Sequence, residues 1–554
     1  MARLVECVPN FSEGRDASVI RAITEAARQA GATLLDVDMG AAANRTVVTL
    51  AGAPAAVEEA AFQAMRVASE RIDMTRHVGE HPRLGATDVC PFVPLDGVTM
   101  TECIEMARRL GERAGRELQI PVYLYDQAAT RPQRASLADI RKGEYEGLAA
   151  RLADPDWTPD FGPAVFNPRV GATVIGAREV LIAYNVNLNT RERLLASRMA
   201  IRMRECGGPA RDTDGERLVD PAGDQLKIPG VLKAVRAVGW VIEEYGIAQV
   251  SVNLLDYRAT PMHVVYDEAR RQAALLGVEV TGSEIVGLVP RQALLAAGRH
   301  YLEKQGLSPA APEPDLIHIA VRSLGLSDAK PFVANEKVIE YRLNTSTKTL
   351  MNLPVGEFTN RLSADTAVPG GGSVAALCGA LGAGLAAMVA NLTYRRPDRQ
   401  KDRPRLKALA DEAQSLRVRL SELVDLDSIA FESVMAATRM RHETDDEKAL
   451  RSTALDAANE RATSVPFETL TLCLRVAELA LEAVSIGYHA CLSDAGSAAA
   501  AARAGAEGAF LNVAINLKNA AGSASHERRK LAQERLDQVQ NVAAEALTLV
   551  RSRL

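Results

Sequence analysis

Features that indicate nucleic-acid-binding or disulfide-stabilised proteins are scarce in this sequence. Aromatic residues make up 4% of its 554 residues, and 65 lysines and arginines face 70 acidic residues, for a formal net charge of -5. Without a basic excess we expect no nucleic-acid partner. The seven cysteines are odd in number, scattered and without a C-x-x-C pair. This pattern argues against a disulfide framework or a structural zinc site and favours reduced thiols.

Targeting and membrane signals are also scarce. The first residues, MARLVECVPNF, have neither the basic nor the long apolar region of a secretory signal. One stretch, Val374 to Leu392, is long enough to span a membrane, but it is mostly alanine and glycine and has no aromatic anchors. We therefore predict a buried helix with small-residue contacts, no membrane partner and a cytoplasmic protein.

Short β-patterned runs alternate with amphipathic helices from Arg3 to about Leu324, which predicts layered α/β structure. Strands are predicted over 32–38, 45–52 and 122–126, with helices over 55–72 and 101–118. After a Trp/Pro-rich joint at 154–163, strands are predicted over 180–188, 248–257 and 316–324, with a helix starting near Met262. The Gly-, Pro- and charge-rich segment 205–230 predicts an exposed loop.

The last part of the chain has a different pattern. Residues 328–354 are weakly patterned and indicate a linker with at most one strand, whereas the pattern beyond is helical. In the final segment one apolar stripe recurs at steps of three or four residues: Ala532, Leu536, Val539, Ala543, Leu547 and Val550. Four or five such helices predict a bundle, so the fold class is α/β followed by all-α.

The stretch RHVGEHPRLGATDVCPF (76–92) contains His77-x-x-Glu80-His81, the spacing of an inverted zinc-protease box. A helix would place both imidazoles on one face, but Gly79 and Pro82 interrupt any helix here, so a loop is predicted. A single histidine acting in acid–base catalysis is the alternative to zinc, since its pKa suits proton transfer near pH 7. On the spacing alone, a loop histidine with an ordinary structural hydrogen bond is the favoured interpretation.

Two further segments could carry chemistry. In PGGGSVAAL (369–377), the glycines 370–372 precede a helix and leave backbone N–H groups open to an anion, although a flexible cap with Ser373 at the helix start fits as well. In ELVDLDSIAF (422–431), Asp425 and Asp427 are two apart and therefore face different sides of a helix. One can be solvated while the other faces the bundle interior, where burial shifts its pKa.

Several long motifs resemble known enzyme families. LVECVPNFSEGR, LLDVDMGAAANRTV, RIDMTRHVGEHPRLGATDVCPF and IPVYLYDQAA resemble the formiminotransferase family, and SADTAVPGGGSVAAL, LVDLDSIAF, SVPFETL and GAFLNVAINLKN resemble the cyclodeaminase family. Both in this order resemble the bifunctional formimidoyltransferase–cyclodeaminases of histidine degradation. That resemblance implies transfer of the formimino group from N-formimino-L-glutamate to N5 of tetrahydrofolate. It further implies closure of the product to 5,10-methenyltetrahydrofolate with release of ammonia.

The resemblance also implies a domain plan and partners. It implies ferredoxin-like transferase subdomains over 1–178 and 179–327, a linker over 328–354 and a cyclodeaminase bundle over 355–554. Tetrahydrofolate, with one or several glutamates, is the implied co-substrate, without a metal. The implied assembly is a homo-oligomer, a dimer or a ring of dimers.

The site residues that the resemblance implies are few. The transferase histidine falls on His81 with Asp38 as its carboxylate partner, and the cyclodeaminase aspartate falls on Asp427. The folate-contacting segment falls on Gly162, Pro163, Ala164, Val165, Phe166, Asn167, Pro168, Arg169, Val170 and Gly171. Exposed N–H groups of Gly370, Gly371 and Gly372 offer a second folate contact. A chain with one active half, a non-catalytic folate-binding protein and a zinc hydrolase are the alternatives.

Overall fold

The computed structural model describes residues 3–41, 43–79, 82–212, 216–220, 225–242, 245–343, 349–518 and 523–554. The chain forms two compact units, Met1–Ala297 with Ile317–Ser346 and Gly298–Leu316 with Thr347–Leu554. The first is built on mixed sheets with helices and the second is helical. The predicted change from α/β to all-α structure along the chain is therefore confirmed.

The N-terminal part of the first unit is a sheet covered by helices. Its strands are β1 (Leu4–Cys7), β2 (Asn10–Phe11), β3 (Thr33–Gly40), β4 (Arg45–Gly52), β5 (Thr87–Asp96), β6 (Val122–Asp126) and β7 (Thr173–Ala177). Its α-helices are α1 (Ala17–Gln29), α2 (Pro54–Arg71), α3 (Met100–Arg113), α4 (Leu137–Ile140) and α5 (Leu148–Leu152). Shorter turns of 3-10 or π-helix are Met74–Arg76, Ala114–Leu118, Pro132–Arg134 and Pro155–Trp157. The predicted strands at 45–52 and 122–126 are confirmed to the residue.

The order of the strands brings two loops together. The sheet runs β1-β4-β2-β5-β7-β6, with β3 beside β4. Strand β7 pairs in parallel with both β5 and β6, and the first eight residues of β5 are buried, as is typical of a strand covered on both faces. Because β5 and β7 are parallel neighbours, the residues just before them meet at the same end of the sheet, where Gly85 forms a bridge with Gly171.

The second part of the first unit is a smaller antiparallel sheet. It contains β8 (Ile182–Leu188), α6 (Arg193–Met203), β9 (Gly208–Pro209), β10 (Lys227–Ile228), β11 (Val235–Ile242), β12 (Ile247–Leu254), α7 (Met262–Leu276) and β13 (Val280–Val286). The strand order is β11-β12-β8-β13, with β9 and β10 forming a separate ribbon within the predicted 205–230 loop. Helix α7 begins at Met262, as predicted, and ends at Gly277, whose φ of +71° favours glycine.

One prediction for the part of the chain between β13 and the bundle is wrong. The chain continues through α8 (Arg291–Lys304), α9 (Glu313–Ser323), α10 (Ala334–Lys337) and α11 (Ile339–Leu343). The predicted strand at 316–324 is therefore a helix, because its buried residues, Leu316, Ile317, Ala320 and Leu324, recur at the helical period. The described part of the 328–354 segment contains the short helices α10 and α11, and the predicted linker stays a prediction.

The second unit is a bundle of five long helices in the described residues. Its helices are α12 (Val355–Leu362), α13 (Gly371–Tyr394), α14 (Arg403–Thr438), α15 (Asp445–Ile486), α16 (Leu492–Asn516) and α17 (Ser523–Arg553), with 3-10 turns at Leu350–Asn352, Pro397–Asp402 and His489–Cys491. Five of the six residues of the predicted stripe on α17 are buried. The exception is Leu547, which is half-buried, while its neighbour Ala546 is buried. The bundle prediction is confirmed.

Helix α13 occupies the stretch that is apolar enough to cross a membrane. Its most apolar window has a mean hydropathy of 1.9, and 61% of that window is buried inside the protein. Glycines allow close contacts there: a Cβ added at Gly379 would lie 2.8 Å from the sulfur of Cys473. Burial against neighbouring helices therefore accounts for the composition, as expected of a core helix.

A proline inside α15 is compensated by a neighbouring helix. Pro466 lacks the N–H that would donate to the carbonyl of Ala462 one turn earlier. The side-chain amide of Asn516 in α16 donates to that carbonyl at 2.6 Å instead. The side-chain amide thus replaces the backbone donor that Pro466 lacks, and the bond links the motif GAFLNVAINLKN to the helical turn that contains SVPFETL.

Candidate active sites

The loop before β5 is fixed by contacts at its C-terminal end. Gly85 forms an antiparallel bridge with Gly171, and the hydroxyl of Ser12 donates to the Gly85 carbonyl at 2.7 Å. The backbone N–H of Leu84 donates to the carboxylate of Asp88 at 2.9 Å. The histidine motif therefore ends on a rigid support.

Asp88 is the charged centre of this support. Its side chain is fully buried and forms ion pairs with Arg45 and Arg141. Two guanidinium groups and a backbone N–H hold the carboxylate in place of water. Removing one member of such a buried cluster leaves an uncompensated charge, at a cost of about 3–5 kcal/mol.

His77 has a structural role within the same loop. Its Nε2 lies 2.8 Å from the carbonyl oxygen of Asn44, and Nδ1 accepts from Nε of Arg83 at 3.2 Å. Arg83 in turn donates to Glu146 at 2.7 Å and holds the pKa of that carboxyl below its usual range. Because both ring nitrogens contact protein groups, His77 could serve a metal only after these bonds break.

Glu80 and the predicted transferase histidine, His81, lie outside the described residues. The residues on either side are closely packed: a Cβ at Gly79 would meet the carbonyl oxygen of Ala43 at 2.2 Å, and the side chain of Asn44 donates to the Val78 carbonyl at 3.1 Å. A cavity of about 430 Å³ opens beside this loop, lined by His77, Val78, Gly79, Arg83, Gly143, Glu144 and Glu146.

The structure brings the predicted folate segment against the histidine loop. Gly171 has a φ of +71°, and a Cβ there would meet the carbonyl oxygen of Leu84 at 2.2 Å. The N–H of Ala86 donates to the Val170 carbonyl at 2.8 Å. Phe166 packs on Tyr145, with ring centroids 5.5 Å apart. The C-terminal end of the predicted folate segment therefore lies against residues 84–86, and folate binding by residues 162–171 stays a prediction.

Asp38 lies on β3, opposite Val47 of β4, with its side chain exposed. The hairpin that joins these strands carries Asn44, whose backbone carbonyl contacts His77. Asp38 is thus on the strand that leads into the histidine region, and its predicted pairing with His81 stays a prediction.

The second site lies where α13 begins. Asp427 of α14 faces Gly372 so closely that a Cβ at this glycine would lie 2.0 Å from the carboxylate oxygen Oδ1. The hydroxyl of Ser373 lies 3.2 Å from Oδ2 of Asp427, donates to the Val424 carbonyl at 2.8 Å and lies 3.2 Å from the Ser428 hydroxyl. The glycine-rich start of α13 therefore receives a carboxylate from within the protein.

Burial raises the pKa of Asp427, and its hydrogen bonds to the hydroxyl and backbone of Ser373 partly offset this rise. The positive end of the helix dipole also favours the carboxylate at this position. A half-buried carboxylate held by a helix N-terminus can stabilise a developing positive charge or accept a proton, which makes it a candidate active-site group.

Asp425 has a different role, as the spacing predicted. Its carboxylate accepts from the backbone N–H of Leu350 at 2.6 Å and so anchors the turn before α12. Gly370 is the N-cap of α13, and a Cβ at Gly371 would meet the nearest atom, the amide nitrogen of Asn512, at 3.5 Å. Folate binding at Gly370–Gly372 stays a prediction. The alternative interpretation, a cap with Ser373 at the helix start, is wrong because Ser373 lies inside α13 and Gly370 is its N-cap.

Sequence reasoning missed the residues that support both sites. Asp88, Arg83 and Asn44 are polar residues of the motifs whose side chains are buried and bonded. Ser373 is fully buried beside Asp427. A buried charge inside a strand pattern, as at Asp88 in ATDVCPF, was the available signal, because a charge within an apolar run needs partners.

Three family models match segments in both units of the chain. The family described as "Formiminotransferase domain, N-terminal subdomain" matches residues 4–178, "Formiminotransferase domain" matches 183–344 and "Formiminotransferase-cyclodeaminase" matches 354–535. The formimidoyltransferase-cyclodeaminase of Rattus norvegicus is 44% identical over 94% of this chain and 93% of its own. The chain belongs to the formimidoyltransferase-cyclodeaminase family. The resemblance seen in the motifs is confirmed.

Proteins that correspond to only one half of a formimidoyltransferase-cyclodeaminase also match this chain. The glutamate formimidoyltransferase of Streptococcus pyogenes is 42% identical over 55% of this chain and 94% of its own. The methenyltetrahydrofolate cyclohydrolase of Methylorubrum extorquens is 35% identical over 35% of this chain and 91% of its own. The chain thus combines both enzyme activities of the family, a formimidoyltransferase and a cyclodeaminase.

Proposed function

We propose that the first unit transfers the formimino group of N-formimino-L-glutamate to N5 of tetrahydrofolate, and that the second closes the product to 5,10-methenyltetrahydrofolate with release of ammonia. The observation that carries this proposal is the placement of Asp427 at Gly372 and Ser373, which joins two cyclodeaminase motifs distant in sequence. In the first unit, the contact of Gly171 with Leu84 joins two transferase motifs in the same way.

The transferase reaction needs a group that moves protons near neutral pH. N5 attacks the formimino carbon and loses a proton, and the departing glutamate nitrogen gains one. We assign this shuttle to His81, with Asp38 stabilising the imidazolium, as a single imidazole can take up and return the proton. Gly162 to Gly171 bind the folate beside it, and this is supported by the contacts of this segment with the loop after His81.

The cyclisation needs a group that tolerates a cationic product. N10 attacks the same carbon, the amino group leaves as ammonia after gaining a proton, and a methenyl cation forms. We assign Asp427 to the relay of that proton and to stabilisation of the cation. Its raised pKa supports this role, because a carboxyl group with a raised pKa holds a proton more readily near neutral pH.

Further features of the proposal concern the context of the enzyme. The seven free cysteines support a reducing compartment such as the cytoplasm. A homo-oligomer is proposed from the resemblance, and folate with several glutamates is the proposed physiological substrate. The order β11-β12-β8-β13 around two helices supports a ferredoxin-like second subdomain.

The direct test supplies N-formimino-L-glutamate and tetrahydrofolate to the purified chain and follows glutamate, ammonia and methenyl absorbance together. We expect all three to rise, with glutamate first. Glutamate without ammonia would leave only the transferase half active, and stoichiometric folate binding with neither product would indicate a non-catalytic protein.

A further inference from the structure

The motif GAFLNVAINLKN places two asparagines of α16 one helical turn apart, and their surroundings differ. The side chain of Asn516 donates to the Ala462 carbonyl of α15 and so compensates for Pro466. The side chain of Asn512 donates through Nδ2 to the carbonyl of Gly508, one turn earlier in its own helix, at 2.8 Å. Asparagine is unfavourable inside a helix, and a bond that only returns to the same helix does not stabilise the packing of the bundle.

Part of the Asn512 amide is open to a ligand. The side chain is half-buried, and one of its two N–H groups is used by Gly508. Among the residues that the structure describes, the carboxamide oxygen Oδ1 and the second N–H have no protein partner. The bond to Gly508 fixes the direction of the amide, which therefore offers one acceptor and one donor in a defined orientation.

Helix packing places this amide at the start of α13. A Cβ at Gly505 would lie 3.0 Å from the backbone nitrogen of Gly379, and one at Gly508 would lie 3.9 Å from the carbonyl oxygen of Gly371. The two helices are therefore closely packed and antiparallel, so the next turn of α16 lies beside the N-terminus of α13. There the nearest atom to a Cβ at Gly371 is Nδ2 of Asn512, at 3.5 Å.

Asn512 and Asp427 approach the same helix terminus from two different helices. Asp427 of α14 contacts Gly372, and Asn512 of α16 contacts the adjacent Gly371. Because neighbouring Cα atoms are ~3.8 Å apart, these contacts limit the distance between the carboxylate and the amide to roughly 12 Å. From the formimino carbon on N5 to the 2-amino nitrogen of the pterin is roughly 6 Å at ordinary bond lengths. With a hydrogen bond of about 3 Å at each end, one folate head can contact both groups.

Apolar side chains lie next to both polar groups. Leu511 and Ile515, beside Asn512 on α16, are 66% and 64% exposed, and Phe431, one turn after Asp427 on α14, is 40% exposed. Exposed apolar residues around a few fixed polar groups are typical of a binding site for a flat molecule with a polar edge.

The chemistry of the amide favours one part of the folate. The pyrimidine edge of a pterin presents the 2-amino donor beside the N1 acceptor, and a carboxamide pairs with such an edge through two hydrogen bonds, as it does with adenine. The amide that joins the benzoyl group to the glutamate presents its donor and its acceptor on opposite sides, so one carboxamide cannot pair with both. Asn512 is therefore complementary to the pterin edge.

We propose that Asn512 binds the pterin edge of the folate whose formimino carbon lies at Asp427. This role rests on the proposed function of the second unit. Oδ1 accepts from the 2-amino group, and the free N–H of Nδ2 donates to N1. Asn512 thereby orients the ring system so that N10 and the formimino carbon face the carboxylate, and it takes no part in proton transfer.

The test combines a variant with a modified substrate on the full chain. Preformed 5-formiminotetrahydrofolate and its 2-desamino-2-methyl analogue are supplied without glutamate, so that the transferase does not act, and KM and kcat for methenyl formation are measured. In the wild type the analogue is expected to have an about tenfold higher KM, because it lacks the 2-amino donor. Asn512→Leu is expected to raise the KM of the normal substrate about tenfold, to keep kcat within about threefold and to give both substrates the same KM.

Asn516→Leu is the matched control. It makes the same replacement one turn later in α16 and removes the bond to the Ala462 carbonyl. We expect a lower melting temperature, whereas the KM values of the two substrates should still differ about tenfold. A purely structural role of Asn512 would give the same pattern as this control, which would overturn the proposal.

Further outcomes separate the possible failures. An unchanged KM in Asn512→Leu would overturn the proposal, as would an equal loss of activity on both substrates with a lower mass by light scattering, which would make this face of α16 a subunit contact. Full cyclodeaminase activity of Asp427→Asn would refute the role of Asp427 alone, because the loss of discrimination in Asn512→Leu is measured independently. If the wild type forms no methenyl product, the proposed function fails, and the role of Asn512 fails with it.

Discussion

The two candidate sites are built in different ways. The transferase region is a loop held by long-range polar contacts, with Asn44, Arg83 and Asp88 joining segments from different parts of the first unit. The cyclodeaminase region is a contact between two helices, in which Gly372 makes room for one carboxylate. The transferase region has a cavity beside His77 and Gly79, whereas at the cyclodeaminase region burial raises the pKa of Asp427.

The largest expected effect is the loss of transferase activity when the imidazole of His81 is removed. His81→Ala should lower the transferase rate about 10²–10⁴-fold, the range for loss of one general acid–base group. The cyclisation of supplied 5-formiminotetrahydrofolate should proceed at the normal rate in the same preparation. His77→Gln is the comparison variant, because His77 has a structural role, and it should cost much less transferase activity. A transferase rate that is unchanged in His81→Ala would remove the imidazole from the mechanism.

The reciprocal change is Asp427→Asn. The amide keeps the size of the side chain but neither carries the charge nor relays the proton, so we expect the methenyl absorbance to rise about 10²–10³-fold more slowly. Release of glutamate in the transferase step should be unaffected. If methenyl formation continues at the normal rate, another group performs the cyclisation.

A smaller loss of cyclodeaminase activity is expected from a substitution at Gly372, the glycine of α13 that packs against Asp427. In Gly372→Ala the new Cβ would lie 2.0 Å from Oδ1 of Asp427, so the carboxylate must move. Displacing a reacting group by about 1 Å can cost on the order of 10²-fold in rate, and we expect a loss of about 10–100-fold in cyclodeaminase kcat.

Gly371→Ala is the matched control for that variant. Its Cβ would meet the nearest atom at 3.5 Å, an ordinary contact. The two substitutions add the same methyl group to adjacent helical positions, so an equal effect of both on kcat would mean that the position of the carboxylate is unimportant.

The smallest expected effect concerns stability and pH. The pKa of Asp427 is raised in the folded protein, so its contribution to stability is fully present below the unfolded pKa and is lost as the pH rises through the folded pKa. Ionisation of the Asp427 side chain in the folded protein is therefore a cost to stability. Asp427→Asn should be at least as stable as the wild type at pH 7, with the difference shrinking at low pH, in thermal unfolding followed by circular dichroism. A variant that is clearly less stable at pH 7 would contradict the burial argument.

Much of the fold was predictable because the spacing of apolar residues along the sequence indicates which face of a strand or helix is buried. The strands at 45–52 and 122–126, the start of α7 at Met262 and the stripe on α17 all follow from local pattern. The error at 316–324 arose because an apolar run is compatible with both a strand and a buried helix. The period of its buried residues, visible only with the structure, decides for the helix.

The sites were predictable only in part. The motifs indicated His81 and Asp427, and the two-residue spacing of Asp425 and Asp427 correctly assigned them to different helix faces. Other contacts in the two regions join residues that are distant in sequence: Asp88 pairs with Arg141, and Gly372 packs against Asp427. Such pairings depend on tertiary packing, so no local pattern contains them.

The central claim is that the two steps use two separate groups, an imidazole in the first unit and a half-buried carboxylate in the second. The most direct test follows glutamate and ammonia over time in Asp427→Asn supplied with N-formimino-L-glutamate and tetrahydrofolate. We expect glutamate to be released at the wild-type rate while 5-formiminotetrahydrofolate accumulates without ammonia. Simultaneous loss of glutamate and ammonia release, or normal release of both, would contradict the claim.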